Sequence, residues 1–265
     1  LLDTRFSRVL GKPPILIAGM TPTTSFNGGE LVAAVNNAGY HGELAAGGLP
    51  RKNIFREKVG ELEAILDPHA GIHVNLLFLN PKQWAFQFPL CMQMRGEGAP
   101  IESLTVAAGV PSLGKANEII EKMRAARMRY VSFKPGSVNA IRSVVEIAAA
   151  NPDFTVMLQW TGGRAGGHHS FEDMHAPVIR TYALMRSATN IILVAGSGIG
   201  DADGAVRYLT GEWSVSVAPF MYRYISRVSC SQFDSLPLTS LKGLSPSRGA
   251  TGRRCRSTAC SWRRA

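Results

Sequence analysis

Residues 190–209 read NIILVAGSGIGDADGAVRYL. Apolar residues run without a break from Ile191 to Ala195, and glycines follow at 196, 198 and 200. A stretch with helical spacing of its apolar positions closes the segment. A strand that is apolar on consecutive positions is buried on both faces, as in a parallel sheet covered by helices. The segment therefore reads as strand, glycine turn, helix. Whether that unit recurs decides the fold.

It does recur. Strand-like runs begin near Ile15 (ILIAG), His41 (HGELAAG), Ile72 (IHVNLLF), Leu104 (LTVAAG), Arg129 (RYVSF), Phe154 (FTVMLQW) and Asn190 (NIILVAG), 25 to 36 residues apart. Between them GGELVAAVNNAG, NIFREKVGELEAIL, KANEIIEKMRAAR, SVNAIRSVVEIAAA and APVIRTYALM repeat apolar residues at helical spacing. Seven such units predict an α/β fold of the (β/α)8 TIM-barrel type, incomplete by about one unit. Periodicity alone leaves an open doubly wound sheet as the alternative.

Charge divides the chain. Residues 1–220 hold 20 Lys and Arg against 18 Asp and Glu, whereas residues 221–265 hold 9 basic residues and Asp234. The net charge of +10 therefore sits mostly in the tail. That tail lacks the interleaved aromatics or amphipathic period of a nucleic-acid or membrane arm, so neither partner is expected. No apolar run reaches the roughly 18 residues of a membrane span, and no secretory signal is visible. Cys91 is the one cysteine before residue 221; Cys230, Cys255 and Cys260 follow it, without zinc spacing. No metal is expected, and a reducing cytoplasm fits.

Ligands of this architecture collect at the carboxyl ends of the strands. There the sequence places AGMTPTT after the first strand, with Gly19, Met20 and Thr21, and Asn75 within VNLLFLNP after the third. AGVPS follows the fourth strand, and FKPGS after the fifth puts Lys134 at the rim. The sixth ends in TGGRAGGHHSF, residues 161–171, and the seventh in AGSGIGD. Glycine turns before a helix expose N–H groups that cradle phosphate. The pattern is not GxGxxG and has no acidic residue about twenty positions on, so a single phosphate, as on FMN, fits better than a dinucleotide.

Together AGMTPTT, VNLLFLNP, GGRAGGHHSFED and VAGSGIGDADGA resemble the enoyl reductase domain of the fungal type I fatty acid synthase β subunit. They are more distantly similar to FMN-dependent bacterial enoyl-acyl carrier protein reductases and nitronate monooxygenases. The resemblance runs from about Thr4 to Trp213. It implies a flavin barrel in which NADPH reduces FMN, and the flavin passes hydride to the β-carbon of an enoyl thioester on acyl carrier protein. His168 would be catalytic. FMN would contact Gly19, Met20, Thr21, Asn75, Lys134, Gly166 and Gly167, with its phosphate on Gly196, Ser197 and Gly198. The α subunit and other β-subunit domains would be partners.

Residue chemistry agrees with those roles. Hydride addition leaves an enolate, and a histidine with a pKa near 6.5 suits its protonation. Ser170 and Asp173 match a capping box, which predicts a helix starting just after the two histidines. His169 reads as a structural neighbour and Arg164 as an orienting or anion-binding residue. His41, His69, His73 and His175 read as structural.

The pattern breaks near Trp213, where an eighth strand is expected. The Arg- and Ser-rich residues that follow read as a disordered tail, of the kind a frameshift or retained intron produces. The first residue is not Met, consistent with a piece of a longer polypeptide. The expected organisation is thus an FMN-binding reductase barrel over 1–220 and an aberrant tail over 221–265. A stand-alone nitronate oxidase and a non-catalytic fragment are the competing readings.

Overall fold

Each of the seven apolar runs forms a strand. These are β1 (Leu16–Ile17), β2 (His41–Ala45), β3 (Ile72–Leu77), β4 (Ile101–Ala107), β5 (Tyr130–Phe133), β6 (Thr155–Thr161) and β7 (Ile191–Gly196). Eight helices alternate with them: α1 (Arg5–Leu10), α2 (Gly29–Asn37), α3 (Lys52–Ile65), α4 (Pro81–Gly96), α5 (Leu113–Ala125), α6 (Val138–Ala150), α7 (His175–Ser187) and α8 (Ala202–Thr210). The computed structural model describes residues 3–21, 29–163, 165, 169–196 and 198–210. Arg164, Gly166, Gly167, His168, Ser197 and the expected tail over 221–265 lie outside the described residues.

All six strand pairings are parallel, and the spatial order is the chain order. A doubly wound sheet reverses its order at a switch point; this one does not. The sheet also curls. In a flat sheet β2 and β5 would lie about 14 Å apart, at roughly 4.8 Å per step. Here the His41 and Tyr130 rings are 5.8 Å apart, and His73 of β3 stacks on Tyr130 at 5.3 Å. Leu16 of β1 and Val194 of β7 pack on one apolar cluster. The architecture is a TIM-like barrel of seven strands among the described residues, with β1 and β7 at the two ends of the sheet.

The two sides of the sheet differ. Outward residues such as Leu44, Val74, Leu104, Val131 and Leu158 join the buried faces of the helices in the large core. The lumen is closed at the amino ends of the strands by α1, whose Phe6 and Leu10 pack on Tyr130, Met157 and Ile192. A capping box between Thr4 and Ser7 starts α1, and Gly11 at φ 69° ends it.

Two helices arise without a predicted counterpart, α1 and α4. A third starts late. The Ser170–Asp173 capping box does not form, and α7 begins at His175 with no side-chain cap. The Ser170 hydroxyl donates instead to Gly136 O at 2.8 Å and accepts the Glu172 N–H at 3.1 Å. That hydroxyl ties the loop to the segment after β5, so the stretch after the histidines is a folded loop and not a helix start. Among the described residues no helix is long and apolar enough to cross a membrane, and no group of three or more His, Cys, Asp and Glu could hold a metal ion.

Candidate active site

Because the strands are parallel, their carboxyl ends share one end of the barrel. Four strands deliver small residues there: Ala18 and Gly19 after β1, Ala45 to Gly47 at the end of β2, Ala107 to Gly109 after β4, and Ala195 with Gly196 closing β7. The mouth is thus lined by short side chains above a polar lumen.

The polar residues follow the two-residue period of the strands. His41 and Glu43 on β2, His73 and Asn75 on β3, Ser103 and Thr105 on β4, Tyr130 and Ser132 on β5, and Gln159 on β6 are all buried. Glu43 is their hub. Its Oε2 accepts the Gly19 N–H at 2.8 Å and the Asn75 amide at 3.0 Å; its Oε1 accepts the Thr105 hydroxyl at 2.6 Å. Three donors around one buried carboxylate are the arrangement an ionised acceptor requires.

That arrangement fixes the protons around it. Thr105 gives its hydroxyl hydrogen to Glu43, so its oxygen must accept from His73 Nε2, 2.5 Å away. His73 therefore carries its proton on Nε2, and its Nδ1 has no partner. Burial holds His73 neutral, with its pKa pushed down to about 3, and Lys12 adds to the effect. His41 lies 4.9 Å from it, ring to ring, and is also shifted well below the ordinary histidine value by burial and by His73. His41 Nδ1 meets the Tyr130 hydroxyl at 3.3 Å, and burial raises that phenol well above its usual pKa.

The structure brings Gly19 and Asn75 together. A Cβ on Gly19 would lie 3.1 Å from Asn75 Cβ and 3.3 Å from Glu43 Cβ, so the loop after β1 rests on both side chains. The sequence placed Asn75 after the third strand; it lies inside β3 instead. Thr21 reaches the loop after β2, its hydroxyl 3.5 Å from a Cβ built on Gly47. Met20 is exposed beside it. Lys134 follows β5 directly, its N–H on Val106 O at 3.3 Å. Gly196 closes β7 in register with Thr161, and Gly198 turns the chain at φ 63°.

The α8 N-terminus is not an open anion site. Asp201 Oδ1 accepts the Gly204 N–H at 2.6 Å, and Asp203 sits in the first turn. An anion at this corner is left with the glycine turn itself. The loop after β2 is held from outside, where Gln87 donates to Ala46 O at 2.8 Å and Leu49 O at 2.9 Å, and Gln83 donates to Gly47 O at 3.1 Å.

Glu43, Thr105 and the buried pair His41 and His73 were missed as site residues by a reading that weighed only strand ends. Their signal was present: HGELA, HVNLL and SLTVA each place two polar residues two positions apart among small or apolar ones.

A family model described as fatty acid synthase subunit beta/Fas1-like, helical, matches residues 155–221. Its described part here contains two strands, β6 and β7, as well as α7 and α8. The chain is 51% identical over 82% of its length to fatty acid synthase beta subunit pkiC of Emericella nidulans, covering 11% of that protein. It is 49% identical over 81% to the fatty acid synthase subunit beta of Schizosaccharomyces pombe, covering 10%. It is 53% identical over 81% to fatty acid synthase 2 of Mycosarcoma maydis, covering 6%. The chain thus spans about a tenth or less of the curated relatives it matches. Over that span it is similar to the beta subunits of fatty acid synthases from two fungi, Emericella nidulans and Schizosaccharomyces pombe.

Proposed function

We propose that the chain is an FMN-dependent enoyl reductase module of a fatty acid synthase. It would work on an acyl-carrier-bound enoyl thioester beside the α subunit and the other β-subunit domains, with NADPH as reductant. The observation that supports the reading is the mouth: small residues on four strand ends above a polar floor, the composition that a planar ring lying against backbone calls for. Asn75 commits its amide N–H to Glu43, so its amide oxygen remains as an acceptor for a ring N–H. Lys134 stands at the same end for a ring carbonyl or a phosphate. The turn at Gly196, Ser197 and Gly198 would take the phosphate, and Gly166 and Gly167 would lie along the ring.

FMN held there supplies hydride to the β-carbon and takes it from NADPH. The protein's own part is positioning and proton transfer. His168 would give the α-carbon its proton, a general-acid role to which the imidazole side chain is suited. Ser170 anchors the segment that carries it: its hydroxyl is bound to Gly136 O, and its N–H to Thr161 O at 2.9 Å.

The test is direct. The expressed chain should bind FMN and oxidise NADPH only when a crotonyl thioester is added. His168→Ala should lower that turnover by about 100-fold or more while FMN stays bound. A chain without FMN, or one whose flavin instead drives nitronate-dependent oxygen uptake, would overturn the reading.

A further inference from the structure

Glu43 is fully buried in the barrel, yet it binds two of the groups assigned to the flavin. Those groups come from different elements. Gly19 lies on the loop after β1, and Asn75 lies within β3, two strands away in the sheet. Both donate to the same oxygen, Oε2. The other oxygen is held by Thr105 on β4, whose own oxygen accepts from His73 on β3. The carboxylate therefore cannot rotate without breaking a bond at each end.

We propose that Glu43 is a positioning residue for the cofactor, an inference that rests on the flavin reading above. From below the mouth it fixes the Gly19 backbone and the Asn75 amide as one rigid surface, and it orients Asn75 so that its oxygen faces the ligand. The orientation follows from hydrogen-bond chemistry. An ionised carboxylate only accepts, so the amide nitrogen must face it and the oxygen must face away. A glutamine at 43 would offer one accepting oxygen and one NH2 group to three donors. The amide can keep its oxygen on Gly19 and Asn75 only by turning its NH2 to Thr105, whose hydroxyl must then accept, and the two remaining bonds lose the carboxylate's charge. The floor would keep its shape, but Gly19 and Asn75 would be held less firmly.

Supporting partners of this kind change the affinity or activity of the groups they hold by about 10- to 100-fold. Glu43→Gln in the full chain should therefore weaken FMN binding by about tenfold or more, measured by quenching of flavin fluorescence. The visible absorption band of the bound flavin should shift as well, because the Asn75 amide oxygen is held less firmly in place. Asn75→Ala should also weaken binding. The double variant should lose less than the product of the two single losses, since Glu43 acts in part through Asn75. Circular dichroism separates this from unfolding. If Glu43→Gln does not fold, Thr105→Val releases Oε1 and frees the carboxylate to turn, which should weaken binding severalfold. A folded Glu43→Gln, or failing that a folded Thr105→Val, that binds FMN with unchanged affinity and spectrum overturns the proposal. If the unaltered chain binds no FMN, the flavin reading falls first and this inference falls with it. If the unaltered chain binds FMN and the variants are indifferent, only this inference falls.

Discussion

Gly162 shows how one residue sets the site. It follows β6 at the head of the glycine and histidine motif, and its N–H reaches Gly196 O at 3.2 Å. A Cβ there would lie 2.6 Å from Met174 Cα and 2.7 Å from Met174 N. The obstacle is backbone at the start of α7, which cannot swing aside as a side chain can. Gly162→Ala should therefore cost about 1–3 kcal/mol in chemical unfolding, through displaced backbone. At this scale the sequence was half legible. The motif's glycines were read as flavin contacts, at Gly166 and Gly167, whereas the close approach at Gly162 is to the chain's own backbone. Ser170 was misread because its true acceptor, Gly136 O, is 34 residues away, and local spacing carries no trace of such a partner. Glu43 went unnoticed because a carboxylate within an apolar strand looks like an exception until its three donors are seen together.

Among the elements, α1 and α4 were invisible for different reasons. The first has six residues, too few to display a period. The second, PKQWAFQFPLCMQMRG, carries apolar residues on every side and Pro89 in its interior, so no single stripe emerges. Both act on the lumen. Gln83 and Gln87 of α4 brace the loop after β2, and α1 plugs the opposite end. Phe6 meets His41 edge-on at 5.9 Å and is buried. Phe6→Ala should remove about 3–5 kcal/mol of stability, read from the urea midpoint, because it deletes an aromatic side chain from a closed cluster. The strands were the legible elements, because burial on both faces writes a continuous apolar run.

At the scale of the molecule, the repeat of strand, turn and helix made the barrel readable, whereas its polar lumen needed the curl of the sheet to be seen. That lumen ties stability to pH. His73 is held neutral to about pH 3, but an unfolded histidine takes a proton below about 6.5. Between those values the unfolded state binds the extra proton, so stability rises with pH and is lost on acidification from about 6.5 downward. His73 alone should lower stability by about 2 kcal/mol between pH 7 and pH 5, and His41 acts in the same direction. Thermal or urea unfolding at the two pH values should show this loss, and His73→Gln should reduce it. A loss unchanged in the variant would assign the acid sensitivity elsewhere. The plug has one further consequence, which concerns time. Phe6 is made about 185 residues before Ile192, one of the side chains it packs against. At about 5–20 residues per second the ribosome needs about 10–40 s to cover that distance. During that interval the apolar face of α1 has no finished site to enter. The helix made ahead of every strand is therefore among the last to settle, and it is the segment for a chaperone to shield while the barrel is built.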